Sequence, residues 1–505
     1  MYRPFSLVRP RIVAGAVFIA AALAGCTDSP VAPDGAARRL VPGSSNAVVS
    51  PGGPSASCAA IAATHPGAPD GQYAINVGGK TFAVYCAQMA STPAEYLTLA
   101  ATGSGKNFGS WTGDHMLQTY FTKVRLNLAT LQVKNDDYTF STTYGGSVFG
   151  PGVYLYQYPY ASAGDCLGSS PQGAANVDLT GTPFSIHDVF LTDGWYPGGY
   201  VNGAYNGWGG QIAVNGKIAD LIGGGYCGGT TPNTSPGYLQ LAFTGPALAS
   251  PGVKLLAPST SLEGQAVRLS AFASHPAGVT FWTAWDLGDG TTGVGPVPSS
   301  HVYADEGTYT VTFTASDGAT PPTVATKVIA VANVPPTVST IAGATLYLGE
   351  TYSASGSFAD PGLDTWTATV DYGSGATPLA LTGKTFSLRN TYKTPGTYTV
   401  KVTVTDNGAA SGTGTAVVTV LSPAQATQQL AQLIASTVAT RNALPLIASL
   451  SHLGAALLGG STPAAVAKLN AFDAQLSAAL KAGQVNAATY AALADFSARI
   501  RAIIG

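Results

Sequence analysis

The sequence predicts a mainly β, multidomain protein: a disulfide-stapled β-rich domain, two β-sandwiches and a C-terminal α-helical module. Three observations predict it. The 505 residues are rich in Gly (62) and Pro (33), and Tyr (24) outnumbers Phe (17), a turn-rich composition that favours strands over helices. Four of the five cysteines, all but Cys26, lie between residues 56 and 247. Two later segments repeat each other. Only 10% of the chain is charged and the net charge is −2, which argues against a nucleic-acid partner.

The N-terminus carries an address. Arg3, Arg9 and Arg11 form a basic region, and Ile12 to Ala24 is an apolar run of 13 residues. A membrane span needs about 20 residues, so this run is read as a signal peptide. It ends in "LAGC" (Leu23 to Cys26), which resembles the lipobox of bacterial lipoproteins. The resemblance implies a lipidated Cys26 at the mature N-terminus, hence a membrane partner held through acyl chains. The alternative is an ordinary signal peptide with an incidental cysteine. Thr27 stands where aspartate would retain such a protein at the inner membrane, so the resemblance implies the outer membrane or cell surface. Residues 27–55 are rich in Pro, Gly, Ala and Ser without a period, as in a tether.

Cys58, Cys86, Cys166 and Cys227 form an even set in one exported domain, which reads as two disulfides. The pairing Cys58–Cys86 and Cys166–Cys227 is favoured, because each bridge closes a moderate loop. The rival is a metal site with His65, His115 or His187, but no two cysteines have C-x-x-C spacing and none has a His at ligand spacing. A catalytic thiol is the third reading, disfavoured by an oxidising compartment.

The segments "SCAAIAATHPGAPDGQYAINVGGKTFAVYCAQM", "TPAEYLTL", "FTKVRLNLATLQV", "YTFSTT" and "ANVDLTGTPFSI" resemble the GON domain, a module of certain secreted ADAMTS metalloproteases that also occurs in bacterial surface proteins. The D-G-x-Y…V-Y-C opening is similar to the start of fibrinogen-like domains, whose corresponding cysteines are bridged. Near "GGGYCGGTTP" the chain is poorer in cysteine than the family. In those proteases zinc and peptidase chemistry belong to a separate domain with H-E-x-x-H. Here none of the six histidines is followed by Glu, so zinc enters only by family association and no catalytic residue is assigned. A G-x-S-x-G elbow is also missing. "GKT" at Gly79 and Gly383 lacks the P-loop glycine five residues earlier, where Ala74 and Pro378 stand.

"DGWYPGGYVNGAYNGWGGQ", residues 193–211, supplies the candidate ligand-binding residues Trp195, Tyr196, Tyr200, Tyr205 and Trp208. Its Gly, Asn and Pro content reads as an irregular loop, neither helix nor regular strand. Flat rings on such a loop suit sugars or apolar side chains, with Asn202, Asn206 and Asp193 as polar handles. The competing reading folds the rings inward as a local core. His115 and Asp188 are read as surface or satisfied polar residues rather than acid–base catalysts.

"HVYADEGTYTVTFTASDG" from His301 aligns with "NTYKTPGTYTVKVTVTDN" from Asn390, a shift of 89 residues. Upstream, "WDLGDG" from Trp285 matches "VDYGSG" from Val370, a shift of 85. Alternating Thr, Val and Tyr between Gly-Asp turns reads as tandem β-sandwiches. These residues resemble PKD domains, immunoglobulin-like modules marked by W-x-F-G-D-G and H-x-Y-x-x-x-G-x-Y-x-V. The second copy departs at Val370 and Ser374. The resemblance implies spacer or adhesive modules, some of which bind calcium. Asp286, Asp289 and Asp317 are the candidate calcium ligands, against the commoner role of such residues in hydrogen-bonding their own turns.

From Ser422 onward Ala, Leu and Gln recur at three- and four-residue spacings, which predicts amphipathic helices. Thr462-Pro463 and Asn486 are start signals and Gly483 a stop. The tail resembles the FIMAH-like helical modules of bacterial PKD-containing proteins, read either as a cap or as a docking bundle.

The expected organisation is a lipobox signal peptide (1–26), a tether (27–55), a GON-like domain (56–247), two PKD-like domains (250–333 and 334–422) and a helical module (423–505). The expected function is non-enzymatic: recognition or adhesion at the cell surface, with a glycan or protein ligand on the GON-like domain. The alternatives are a secreted hydrolase of polysaccharide or protein, and a purely structural envelope protein.

Overall fold

Alternation and turn chemistry set most of the architecture. The computed structural model describes residues 55–113, 115–149, 153–166, 172–193, 199–206, 209–224, 227–234 and 237–504. The signal peptide with Cys26 and nearly all of the tether lie outside the described residues.

The head begins with helix α1 (Cys58–Thr64), whose first turn is capped by Ser57 Oγ accepting from the Ala60 N–H. Seventeen strands between Gly71 and Phe243 then form one connected sheet system. Gly71–Val77 pairs antiparallel with Lys80–Ala87 through a tight turn at Gly78 and Gly79, both at positive φ. That is the two-residue hairpin geometry which glycine permits without strain. Phe82, Phe184 and Tyr160 anchor a core shared by the sheets, together with Ile61 from α1.

Two disulfides pin this head, Cys58–Cys86 and Cys166–Cys227. The first ties α1 to the second strand, with both cysteines fully buried. The second joins the ends of Ala163–Asp165 and Gly228–Pro232, which pair antiparallel. Cross-links of this kind raise stability mainly by restricting the unfolded chain.

Each sandwich places its hydrophobic strands inward. In the first, Gly307–Ser316 lies between Thr323–Ala332 and Trp282–Asp286, with Val311 and Phe313 packed against Tyr303 and Leu287. In the second, Gly396–Thr405 lies between Ser411–Leu421 and Thr367–Asp371, and Val400, Val402 and Val404 are buried. An edge strand adds in parallel to each: Thr260–Leu262 in the first and Ala344–Tyr347 in the second. The head meets the first sandwich through the Ser55 and Thr280 N–H groups, which donate to the Gly318 and Gln72 carbonyls at 2.6 and 2.8 Å. Trp282 of the sandwich lies on Tyr73 of the head.

Four helices complete the chain: α2 (Pro423–Thr437), α3 (Thr440–Leu458), α4 (Thr462–Lys481) and α5 (Ala487–Ile504). Ser422 and Gln425 form a reciprocal capping box at α2. Asn486 Oδ1 accepts from the Thr489 N–H at the start of α5. Leu430, Leu450, Phe472 and Ile500, one from each helix, meet in a common core. None of the described helices is long and apolar enough to cross a membrane.

Candidate functional site

Three neighbouring strands of the head carry an aromatic surface beside an open cleft. Phe108–Thr112 pairs antiparallel with Met116–Phe121, which pairs with Ser141–Tyr144. The register sets Phe108 directly opposite Tyr120, with ring centroids 5.2 Å apart and nearly parallel planes. Tyr144 sits on the diagonal from Tyr120 and meets it edge-on at 5.8 Å. Cross-strand and diagonal aromatic pairs of this kind stabilise one face of a sheet.

Tyr144 is nonetheless 62% exposed. It borders an open cleft of about 420 Å³ whose lining includes Tyr120, Gln118, Thr142, Lys106 and the turn at Thr102–Ser104. The Tyr120 hydroxyl donates to Gln118 Oε1 at 3.3 Å. At the rim, Lys106 Nζ donates to Asp178 Oδ2 at 2.7 Å, with Asp178 nearly buried and Lys106 half exposed. Burial alone would raise the Asp178 pKa, but the Lys106 ammonium and the Thr180 N–H and side chain outweigh it and hold the carboxyl below its ordinary range. The hydrogen bond to Asp178 in turn raises the Lys106 pKa. The cleft therefore offers a flat ring face, an amide, hydroxyls and one fixed cation: complementary chemistry for a polyol or polar chain bearing an apolar face.

The aromatic segment at residues 193–211 differs from its reading as an irregular loop. Gly199–Val201 and Ala204–Asn206 form an antiparallel hairpin. Its turn residues Asn202 and Gly203 both have positive φ, 50° and 77°, the geometry that makes Asn-Gly a two-residue hairpin signal. Tyr200 and Tyr205 pair across this hairpin with centroids 5.3 Å apart, and Tyr205 is 53% exposed. Asn202 is not a free handle, because its Oδ1 accepts from the Asp220 N–H at 2.8 Å. Trp195, Tyr196 and Trp208 lie outside the described residues.

The candidate calcium ligands are not brought together. Asp286 and Asp289 flank one turn, where Asp286 accepts from the Gly288 N–H, and Asp289 from the Thr291 N–H and His301. Asp317 follows Ser316 at the other end of the same strand pair, since Asp286 faces Thr312 and Trp282 faces Ser316. Asp188 accepts from the Thr234 and Gln240 N–H groups at 3.1 and 2.7 Å and is structural. Among the described residues, the carboxylates that converge are instead Glu263, Asp305, Glu306 and Asp364, at the junction of the two sandwiches and without an imidazole.

Two family models match successive parts of the chain. Residues 55–120 and 112–242 match the family described as the GON domain. Residues 248–331 and 333–420 each match the PKD domain. The human protein "A disintegrin and metalloproteinase with thrombospondin motifs 20" is 30% identical over 196 residues, covering 33% of this chain and 9% of its own length. The mouse protein of that name is 27% identical over 208 residues, covering 36% and 10%. The chain thus spans about a tenth of the length of these curated relatives. Among solved structures, the PKD domain of an M14-like peptidase from a Thermoplasmatales archaeon is 25% identical, covering 18% of this chain and 100% of that one, with a TM-score of 0.16. Fibronectin(III)-like modules of Clostridium thermocellum CbhA are 16% identical, covering 34% and 94%, with a TM-score of 0.16. Residues 55–242 thus match a GON domain, and residues 248–420 two successive PKD domains.

Proposed function

We propose that this chain is a lipid-anchored extracytoplasmic recognition or adhesion protein, in which the head binds a glycan or protein ligand and the sandwiches act as spacers. Two disulfides and the GON and PKD matches support an extracellular setting. The "LAGC" sequence ending at Cys26 supports the anchor, and the following tether would let the head stand off the membrane. The observation that carries the recognition role is the Phe108–Tyr120–Tyr144 ring cluster, which ends in an exposed tyrosine beside a polar cleft. The curated relatives are named as metalloproteinases, but the shared region is a tenth of their length and this chain has no H-E-x-x-H.

Binding of the whole chain to a glycan array and to extracellular-matrix proteins tests the reading. Tyr144→Ala removes a largely exposed ring and is expected to weaken capture about three- to tenfold, since an aromatic contact contributes about 0.5–1.5 kcal/mol. Tyr205→Ala examines the hairpin side of the head in the same assay. Unchanged capture by both variants defeats the recognition surface described above. Detection of [³H]palmitate on the wild-type chain but not on Cys26→Ala examines the anchor separately.

A further inference from the structure

We propose that the junction between the two sandwiches is a calcium site, built by Glu263, Asp305 and Glu306 of the first and Asp364 of the second. One carboxylate oxygen from each of these four residues lies within 4.8 Å of all the others. Acidic clusters are common on surfaces, but this one is largely internal. Glu263 is 1% and Asp364 6% exposed. Glu263 Oε1 accepts from the Val334 N–H at 2.7 Å, while its Oε2 is buried without a partner. Both oxygens of Asp364 and Oε2 of Glu306 are likewise buried and unpartnered. Among the described residues, no Lys, Arg or His forms an ion pair with any of the four.

Buried carboxylate oxygens with neither a donor nor a counter-charge are rare, because desolvation and mutual repulsion both oppose the ionised form. Both effects act here. Glu263 and Asp364 are both buried, and each faces the other carboxylates of the cluster. A cation removes the conflict without protonation.

The donor set chooses the ion. It is all oxygen, which suits a hard cation rather than zinc with its His and Cys preference. Calcium binds six to eight oxygens at about 2.3–2.6 Å, so ligands on opposite sides of it stand about 4.6–5.2 Å apart. The four oxygens all lie within 4.8 Å of one another, close enough to share one such ion. Magnesium dehydrates reluctantly and is usually held by one or two carboxylates and several waters, whereas four carboxylates converge here. Asp305 is exposed and gives the ion a way in from solvent.

The site also has a structural consequence. Glu263, Asp305 and Glu306 come from two loops at one end of the first sandwich, and Asp364 from the loop after Thr351–Ala359 in the second. The Leu363 N–H already donates to the Ala304 carbonyl across this boundary at 2.8 Å. A bound ion would fix the angle between the sandwiches and so set where the helical module stands relative to the head.

The test uses the full chain stripped with EGTA. Calorimetric titration with calcium chloride is expected to give one site per chain at this junction. At 100-fold excess over Kd the unfolding midpoint rises by about 5 °C or more, and small-angle scattering shows a narrower spread of shapes. Glu263→Gln with Asp364→Asn abolishes these effects, whereas Asp286→Asn with Asp289→Asn leaves them intact. Asp305→Asn alters an exposed ligand, so the chain still folds, and weakens binding about tenfold. The proposal is overturned if no heat or thermal shift appears up to about 10 mM calcium, well above the Kd range of extracellular modules. It is equally overturned if Asp305→Asn binds as tightly as wild type, or if the Asp286 and Asp289 substitutions abolish the site.

Discussion

His275 Nε2 lies 3.0 Å from Asp317 Oδ2 with both side chains buried. The repeat shifts of 85 and 89 residues put this pair where the second sandwich has Asp360 and Asp406. One sandwich thus joins a ring and a carboxylate where the other sets two carboxylates. Asp317 also accepts from the Ala319 and Thr320 N–H groups and from the Thr320 hydroxyl, at 2.9, 2.7 and 2.8 Å.

Those donors make Asp317 a stability determinant with a defined pH dependence. Burial by itself raises its pKa, but the hydrogen bonds outweigh burial and hold it below the ordinary value of 3.8. A depressed carboxyl contributes stability above its unfolded pKa and loses it as pH falls through the folded one. Acidification below about pH 4 is therefore expected to weaken the first sandwich. Asp317→Ala leaves four buried donors without an acceptor and is expected to cost about 3 kcal/mol at pH 7. Calorimetric scans from pH 7 to about pH 3 check both points. A variant that melts like wild type, with an unchanged acid limb, removes Asp317 from this role.

The junction of the second sandwich with the helices rests on a different pair. Arg499 Nε and Nη2 donate at 2.8 Å to Glu350 Oε1 and Oε2, and the guanidinium lies 3.9 Å from the Tyr347 ring centroid. The Arg499 hydrogen bonds are the chief reason the Glu350 carboxyl is held below its ordinary range. Both side chains are about one-third exposed, so screening limits the pair to about 1 kcal/mol. The helices keep their own core of Leu430, Leu450, Phe472 and Ile500. Tyr347 and Leu421 of the sandwich share that core, so Arg499→Ala is expected to loosen the docking of the helices without unfolding them. Limited proteolysis with mass spectrometry should show earlier cleavage near residues 421–423, and wild type should approach the variant in high salt. Identical cleavage kinetics would count against the pair.

Sequence reasoning reached the parts of this fold that are local or repeated. The alternation in "TYTVTFTAS" gave the strand Gly307–Ser316, and the apolar spacing after Ser422 gave the four helices. What it missed is tertiary. Tyr120 and Tyr144 are 24 residues apart, and only the pairing of Met116–Phe121 with Ser141–Tyr144 brings them onto one face. Glu263, Asp305, Glu306 and Asp364 lie in three loops of two sandwiches, so no spacing rule joins them. The hairpin at residues 199–206 did have a signal: Asn202-Gly203 between short runs carrying Tyr200 and Tyr205.

The sandwiches contain one more relationship whose sign can be predicted. Gly293 stands directly opposite Trp285 on neighbouring strands, and Gly356 opposite Phe386. In both cases the aromatic ring covers the glycine so closely that an added Cβ would overlap it. Strand propensity alone favours Ala over Gly by less than about 1 kcal/mol. Forcing the ring off its rotamer costs about 1–3 kcal/mol. The clash should win, so Gly293→Ala is expected to lower the stability of the first sandwich. In a double-mutant cycle with Trp285→Ala the penalty should vanish, because the ring that collides is gone. Urea midpoints for the four proteins decide the matter: a neutral or stabilising Gly293→Ala in the wild-type background means the ring gives way freely and the close approach is incidental.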